Sequence, residues 1–191
     1  MMHIYKQAFL ATLLGGLFVT GTAGAQQLTT GDSRYGPFWG GVSGHFAYVN
    51  CAPGSVAVGL SGTAGALVDS VRLICAPLTS SGSLDNEKEY YAGGAGGDSG
   101  GVYQLKCNAG YALEGIYGNA DIAIDRLGIR CRSLDWAYSY TAGHVGGTGG
   151  NYFWDHIYPG QFVTGFSARV GTHLGANVVT GIAARYSNVH Q

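Results

Sequence analysis

The chain has 191 residues, 46% of them hydrophobic and only 11% charged, with ten basic against eleven acidic side chains. The hydrophobic share excludes a disordered chain, and the sparse, balanced charge excludes a nucleic-acid-binding surface or a basic face for an anionic membrane. Glycine, at 34 residues, has no collagen period and is not confined to one tract, so it marks backbone positions that recur.

The chain opens with Met1–Gln7, which carries Lys6 and no acid, followed by an apolar run from Ala8 to Phe18 broken only by Thr12 and a glycine pair. Ala23-Gly24-Ala25 then supplies the small residues that signal peptidase requires. This pattern predicts a secretory signal peptide over 1–25, cleaved after Ala25. Its apolar part is too short for a convincing membrane span. The mature protein, 26–191, is expected to be one soluble domain, secreted or periplasmic, with no membrane span.

Beyond the leader the sequence repeats. GGVSG at 40–44, GGDSG at 96–100 and GGTGG at 146–150 are followed, seven residues later, by Cys51, Cys107 and Ile157. Gly54, Gly110 and Gly160 come next, then Gly59, Gly115 and Gly165. The first two copies close with Asp69…Cys75 and Asp125…Cys131 in matching places, and the third is degenerate, with Gly175 read at the Asp position and an insertion before Ile182. The repeats are placed near 36–78, 92–134 and 143–186.

The four cysteines form two equally spaced pairs. Three connectivities exist in principle, and repeat symmetry favours Cys51–Cys75 and Cys107–Cys131, each contributing on the order of 3 kcal/mol in an oxidising compartment. No CxxC spacing supports a zinc site, so neither metal nor cofactor is expected.

Within each unit the period is two. Ser55–Leu60, Tyr103–Cys107 and Leu127–Cys131 alternate as short antiparallel strands bounded by Gly, Asn, Asp and Ser. About four strands per unit, and three units closing round a shared core, predict an all-β protein of pseudo-threefold symmetry, with Greek-key-like repeats. The GG-x-x-G openings, Pro53-Gly54, Pro159-Gly160 and the Asp-bearing endings resemble β-prism proteins. The Gly36–Gly41 opening is similar to jacalin-type lectins, and Cys51-Ala52-Pro53-Gly54 with a second closing cysteine to vitelline membrane outer layer proteins. A trefoil is the rival threefold fold.

The jacalin-type resemblance implies a sugar site between a Gly-rich loop and a GxxxD loop at one end of the prism. Carried onto this chain it implies Gly40 and Gly41 facing Gly65, Leu67, Val68 and Asp69, with Asp125 in a second, altered copy (Asp121 replaces the leading Gly). Glycines expose backbone N–H groups to a hydroxyl-rich ligand, and a carboxylate accepts charge-assisted hydrogen bonds from sugar hydroxyls. Trp39, Tyr91 and Trp154, near the openings, are the candidate stacking platforms. No sugar site is carried onto 171–175, which lacks the Asp. An Asp at a repeated turn also has a purely structural use, bonding its own backbone.

Gly97-Asp98-Ser99-Gly100-Gly101 matches the nucleophile string of chymotrypsin-like proteases, and Thr141-Ala142-Gly143-His144 resembles their histidine motif. The repeat already explains the first string, and His144 follows Ser99 where that family places its histidine first, so no enzyme is expected. His45, His156, His173 and His190 have no metal-ligand spacing, and the alternation of Trp136–Tyr140 predicts a strand or linking segment with one aromatic face in the core. The function read here is carbohydrate binding, with glycans or glycoconjugates as partners. The alternatives are a structural envelope or matrix protein, and an inhibitor or accessory module that presents loops to a protein.

Overall fold

A computed structural model describes residues 30–155 and 159–189. The leader 1–25, Ile157, His156 and His190 lie outside the described residues. Thirteen strands run in chain order: β1 (Thr30–Tyr35), β2 (Trp39–Gly40), β3 (His45–Asn50), β4 (Ser55–Ala64), β5 (Ser70–Pro77), β6 (Tyr90–Gly96), β7 (Gly101–Lys106), β8 (Tyr111–Ala120), β9 (Ile124–Ser133), β10 (Ser139–Gly146), β11 (Asn151–Trp154), β12 (Gln161–His173) and β13 (Ala176–Val189). Among the described residues the one helical element is a 3-10 turn at Asn86–Lys88.

These strands form three antiparallel sheets. The first has the order β6-β5-β4-β7, the second β10-β9-β8-β11, and the third β1-β13-β12-β3 with β2 also on β13. A strand order in which the fourth strand returns beside the first is a Greek key. The protein is therefore an all-β prism with three Greek keys and pseudo-threefold symmetry.

The sheets are not the sequence repeats. Each is built from the closing hairpin of one unit and the two opening strands of the next: β4–β5 take β6 and β7, and β8–β9 take β10 and β11. The hairpin of the third unit, β12–β13, is completed by β2 and β3 of the first unit, with β1 along its edge. The strand exchange runs round the ring and joins the two ends of the chain.

One apolar core fills the prism, with inward residues from every sheet, among them Leu60, Leu73, Leu113, Ile129, Phe153 and Phe166. The alternation is clear in β7, where Tyr103 and Leu105 are buried between exposed Val102, Gln104 and Lys106. In β4 it is masked, because Val58, Ile74, Ala76 and the half-buried Leu84 form a second apolar cluster outside the core.

The same irregularity recurs in each hairpin. The pairing register shifts between Ala57 and Gly59, between Leu113 and Gly115, and between Val163 and Gly165. An extra residue there bends the strand as a bulge. In the first sheet that residue is Val58, among apolar neighbours. In the second it is fully buried Glu114, held by Arg132 and by Arg130 at 3.0 Å. In the third it is Thr164, whose hydroxyl meets that of Ser187 at 2.7 Å.

Both disulfides form as repeat symmetry predicts, Cys51–Cys75 and Cys107–Cys131. Beside them, the N–H of Ala52 donates to the Tyr90 hydroxyl at 2.7 Å and that of Asn108 to the Tyr140 hydroxyl at 2.6 Å. In the third sheet Tyr186 occupies the place of the closing cysteine. Its hydroxyl and the Trp39 indole N–H both donate to the carboxylate of Asp155, which is 1% exposed. Burial raises the Asp155 pKa and the two donors partly offset the rise.

Trp136–Tyr140 is only partly the strand the alternation predicts. Ser139 and Tyr140 begin β10, whereas Trp136 sits in a turn at positive φ, its ring 5.3 Å from Phe162 and Arg132 stacked over it.

Candidate functional site

The three glycine-rich openings meet the three hairpin turns at one end of the prism. The backbone N–H of Gly97 donates to the Asp69 carbonyl (2.9 Å), that of Gly147 to the Asp125 carbonyl (2.7 Å), and that of Gly41 to the Thr180 carbonyl (2.7 Å). The turns also clasp one another, with the Val68 N–H bonded to the Ile124 carbonyl and the Val179 N–H to the Val68 carbonyl. The Val68 N–H is thereby used, and its carbonyl has one partner within the protein.

This geometry corrects two sequence assignments. Gly40 and Gly41 do not face Asp69. A Cβ at Gly40 would fall 2.4 Å from the Thr180 carbonyl oxygen, and one at Gly41 would fall 2.3 Å from that of Ile122. The loop beside Asp69 is Gly96–Gly100, from the next unit, because strand exchange shifts every opening by one sheet. Secondly, the counterpart of Asp69 and Asp125 is Thr180 and not Gly175. The insertion lies before Thr180 and lengthens β12–β13 into a projecting hairpin with Leu174 and Gly175 at its tip, both at positive φ. Such a two-residue turn suits the twist of a hairpin.

In the two Asp-bearing sheets the carboxylate lies under the last glycine of the loop. A Cβ at Gly100 would fall 2.5 Å from Asp69 Oδ2, and one at Gly150 would fall 2.5 Å from Asp125 Oδ2. Both glycines also have positive φ, at 76° and 70°, so an L side chain there meets backbone strain as well as the carboxylate. In the third sheet the Thr180 hydroxyl donates to the Ser43 carbonyl at 2.6 Å and ties the loop shut.

The two carboxylates differ in setting. Asp69 is 7% exposed. Burial raises its pKa, and its own backbone N–H lowers it in part. Asp125 is half-buried, and its pKa is raised first by desolvation and then by the neighbouring charge of Asp121. Its own N–H, His173 on the projecting hairpin and the Asp121 backbone act in the opposite direction. Among the described residues no side chain donates a hydrogen bond to either carboxylate. Gly65 is open on its Cβ side, and its N–H bonds the carbonyl of half-buried Leu67 at 2.9 Å.

The platforms divide. Trp39 is half-buried, stacked on Phe153 at 5.2 Å between centroids with its indole N–H turned inward to Asp155, so it is not the open surface platform expected. Trp154 is exposed, with Arg130 over its ring at 5.2 Å. Tyr91 is 56% exposed and lines a cleft of about 820 Å³ on the outer face of the first sheet, which reaches the loop at Gly96, Gly97 and Asp98. Ser99 lies in the first sheet's loop and His144 in β10 of the second sheet, and no hydrogen bond joins them. No group of three His, Cys, Asp or Glu side chains suited to a metal ion occurs among the described residues. Among the same residues no helix is long and apolar enough to cross a membrane.

Three sheets joined in this way define the β-prism seen in jacalin-related lectins. The chain superposes on Malaysian banana lectin with a TM-score of 0.59 at 16% identity, covering 83% of this chain and 100% of that one. The mannose-binding jacalin-related lectin of Ananas comosus gives 0.59 at 16% identity, over 83% and 99%. Calsepa lectin in complex with biantennary N-glycan gives 0.58 at 16%, over 82% and 97%. No family model and no curated protein matches the sequence.

Proposed function

We propose that the chain is an exported, non-enzymatic glycan-binding protein whose sugar sites are the two Asp-bearing loop pairs. These are Asp69 with the Gly96–Gly100 loop and Asp125 with the Gly146–Gly150 loop. One observation carries the reading: the same juxtaposition of a carboxylate and a glycine loop is built twice, and in neither copy does a side chain neutralise the carboxylate. A group that the fold desolvates in this way gains from accepting two sugar hydroxyls. The β-prism fold and the formed disulfides agree with this reading, and export after cleavage at Ala25 is part of the proposal.

A second reading rests on the low exposure of Asp69, which suits a residue that fastens its own turn. The two separate in one experiment. Oxidised protein spanning 26–191 is applied to a glycan array beside the variants Asp69→Asn and Asp125→Asn, with melting temperatures recorded in parallel. Selective binding lost in a variant of unchanged melting temperature supports the lectin site. Silence on the array, or variants that only melt earlier, supports the structural role.

A further inference from the structure

The three sheets share a backbone, and among the described residues the outer face of the first carries a cleft where side chains cover the other two. In the second sheet, Tyr117 covers the corresponding face. It sits where the first sheet has Ser61, lies over Gly128 where the first has Arg72, and donates its hydroxyl to the Gly143 carbonyl at 3.1 Å. In the third sheet the ring of Phe38, at the place of Gly94, packs over Gly181, and Arg169 stacks on Phe38 and Phe46. The first sheet has Ser61, Thr63, Ser70 and Gly94 at these places, and the cleft of about 820 Å³ is the result.

The walls of the cleft are chemically ordered. At the loop end are Asp98, Gly96 and Gly97, the last donating its N–H to the Asp69 backbone carbonyl. At the far end the Arg72 guanidinium lies 5.8 Å from the centroid of the Tyr91 ring, and Gln104 donates its amide to the Tyr91 hydroxyl at 3.2 Å. Among the described residues no carboxylate lies within ion-pair distance of Arg72, whereas nearby Lys106 is neutralised by Glu89 at 2.6 Å. Arg72 is three residues along the chain from Asp69, about 10 Å, and Tyr91 lies opposite Ile74 just beyond it, a span that a further sugar ring can bridge.

We propose, resting on the glycan reading above, that this cleft is an extension subsite for an acidic oligosaccharide. A neutral sugar sits at the Asp69 loop. The next, carboxylate-bearing sugar lies on Tyr91 with its carboxylate on Arg72. A planar guanidinium matches a carboxylate in a bidentate pair, and an aromatic ring beneath takes the apolar sugar face.

The test uses isothermal titration of the oxidised protein with a neutral oligosaccharide chosen from the array and with the same compound oxidised to a uronic acid at its outer sugar. The wild type is expected to bind the acidic form about tenfold more tightly at low salt, the size of one charge-assisted contact. In Arg72→Gln the ratio of the two affinities falls to near one, and in Arg72→Lys part of the preference returns. Equal affinities in the wild type, or a preference that survives in Arg72→Gln, overturn the inference while leaving the glycan reading in place. Silence of both forms overturns the glycan reading, and this inference falls with it.

Discussion

The first and second sheets have the same strand order, the same bulge and the same Asp under a glycine loop, yet they are filled by opposite chemistry. Around the bulge the first sheet packs Val58 with Ile74, Ala76 and Leu84, and the second places Glu114 between Arg130 and Arg132 at the equivalent positions. Nearer the loops the relation reverses, for the first sheet is hollow and polar while the second is closed by Tyr117. The same backbone therefore carries faces of different chemistry, and the hollow face is the one to which the proposed acidic subsite is assigned.

The largest expected effect separates the two bulges. Glu114→Ala leaves two arginines facing a vacated, dry position, and should cost about 3–5 kcal/mol by urea unfolding. The triple change Glu114→Val, Arg130→Ile, Arg132→Ala transplants the apolar pattern of the first sheet and should recover most of that loss, since replacing a buried ion cluster with well-packed apolar groups is often neutral or better. A triple variant as unstable as the single one would show that the two sheets are not interchangeable at this position.

Next in size is the bridge that closes each sheet. Converting Cys107 and Cys131 together to Ala should cost about 3 kcal/mol. The third sheet, with Tyr186 and Asp155 in that place, should be insensitive to reductant.

A smaller effect is expected from Ser61→Tyr with Arg72→Gly, which copies the closed face of the second sheet onto the first. Because Tyr117 over Gly128 already fits this backbone in the second sheet, stability should change by only about 1 kcal/mol although Ser61 is buried. Any preference for acidic sugars should disappear with the cleft.

The smallest is a pH effect. Because the folded pKa of Asp155 is raised, its contribution to stability is full below the ordinary aspartate range and is lost as pH rises through the folded value. Melting temperature should fall across that interval in the wild type and lack this step in Asp155→Asn. The same upward shift has the opposite consequence for binding, which needs the charged form: acidification should weaken glycan binding at a pH above that at which an unperturbed aspartate protonates, because burial raises both Asp69 and Asp125.

Much of this was legible in the residues, and the omissions have physical causes. The glycines at 54, 110 and 160 and the first and last glycines of the openings recur because positive φ is needed at the same place in each copy, and Gly41, Gly97 and Gly147 recur because backbone from another turn passes against them. That periodicity was enough to predict a threefold all-β fold and both disulfides, and the resemblance of its motifs to β-prism proteins supplied the prism. Which opening meets which Asp was not legible, because strand exchange is a long-range choice with no local signal. Thr180 was missed because the lengthened hairpin shifts the third copy out of register, and Gly175 offered a false match. Trp39 read as a surface platform from its place beside the glycines. Its burial depends on Asp155, a residue 116 positions away.

The most direct test is the stoichiometry of binding for the best array ligand, measured by isothermal titration on the wild type, Asp69→Asn, Asp125→Asn and the double variant. Two sites per chain, one in each single variant and none in the double variant is the expected result. Binding that persists in the double variant, or a stoichiometry matching three equivalent loops, would contradict the assignment of the sites to the two Asp-bearing sheets.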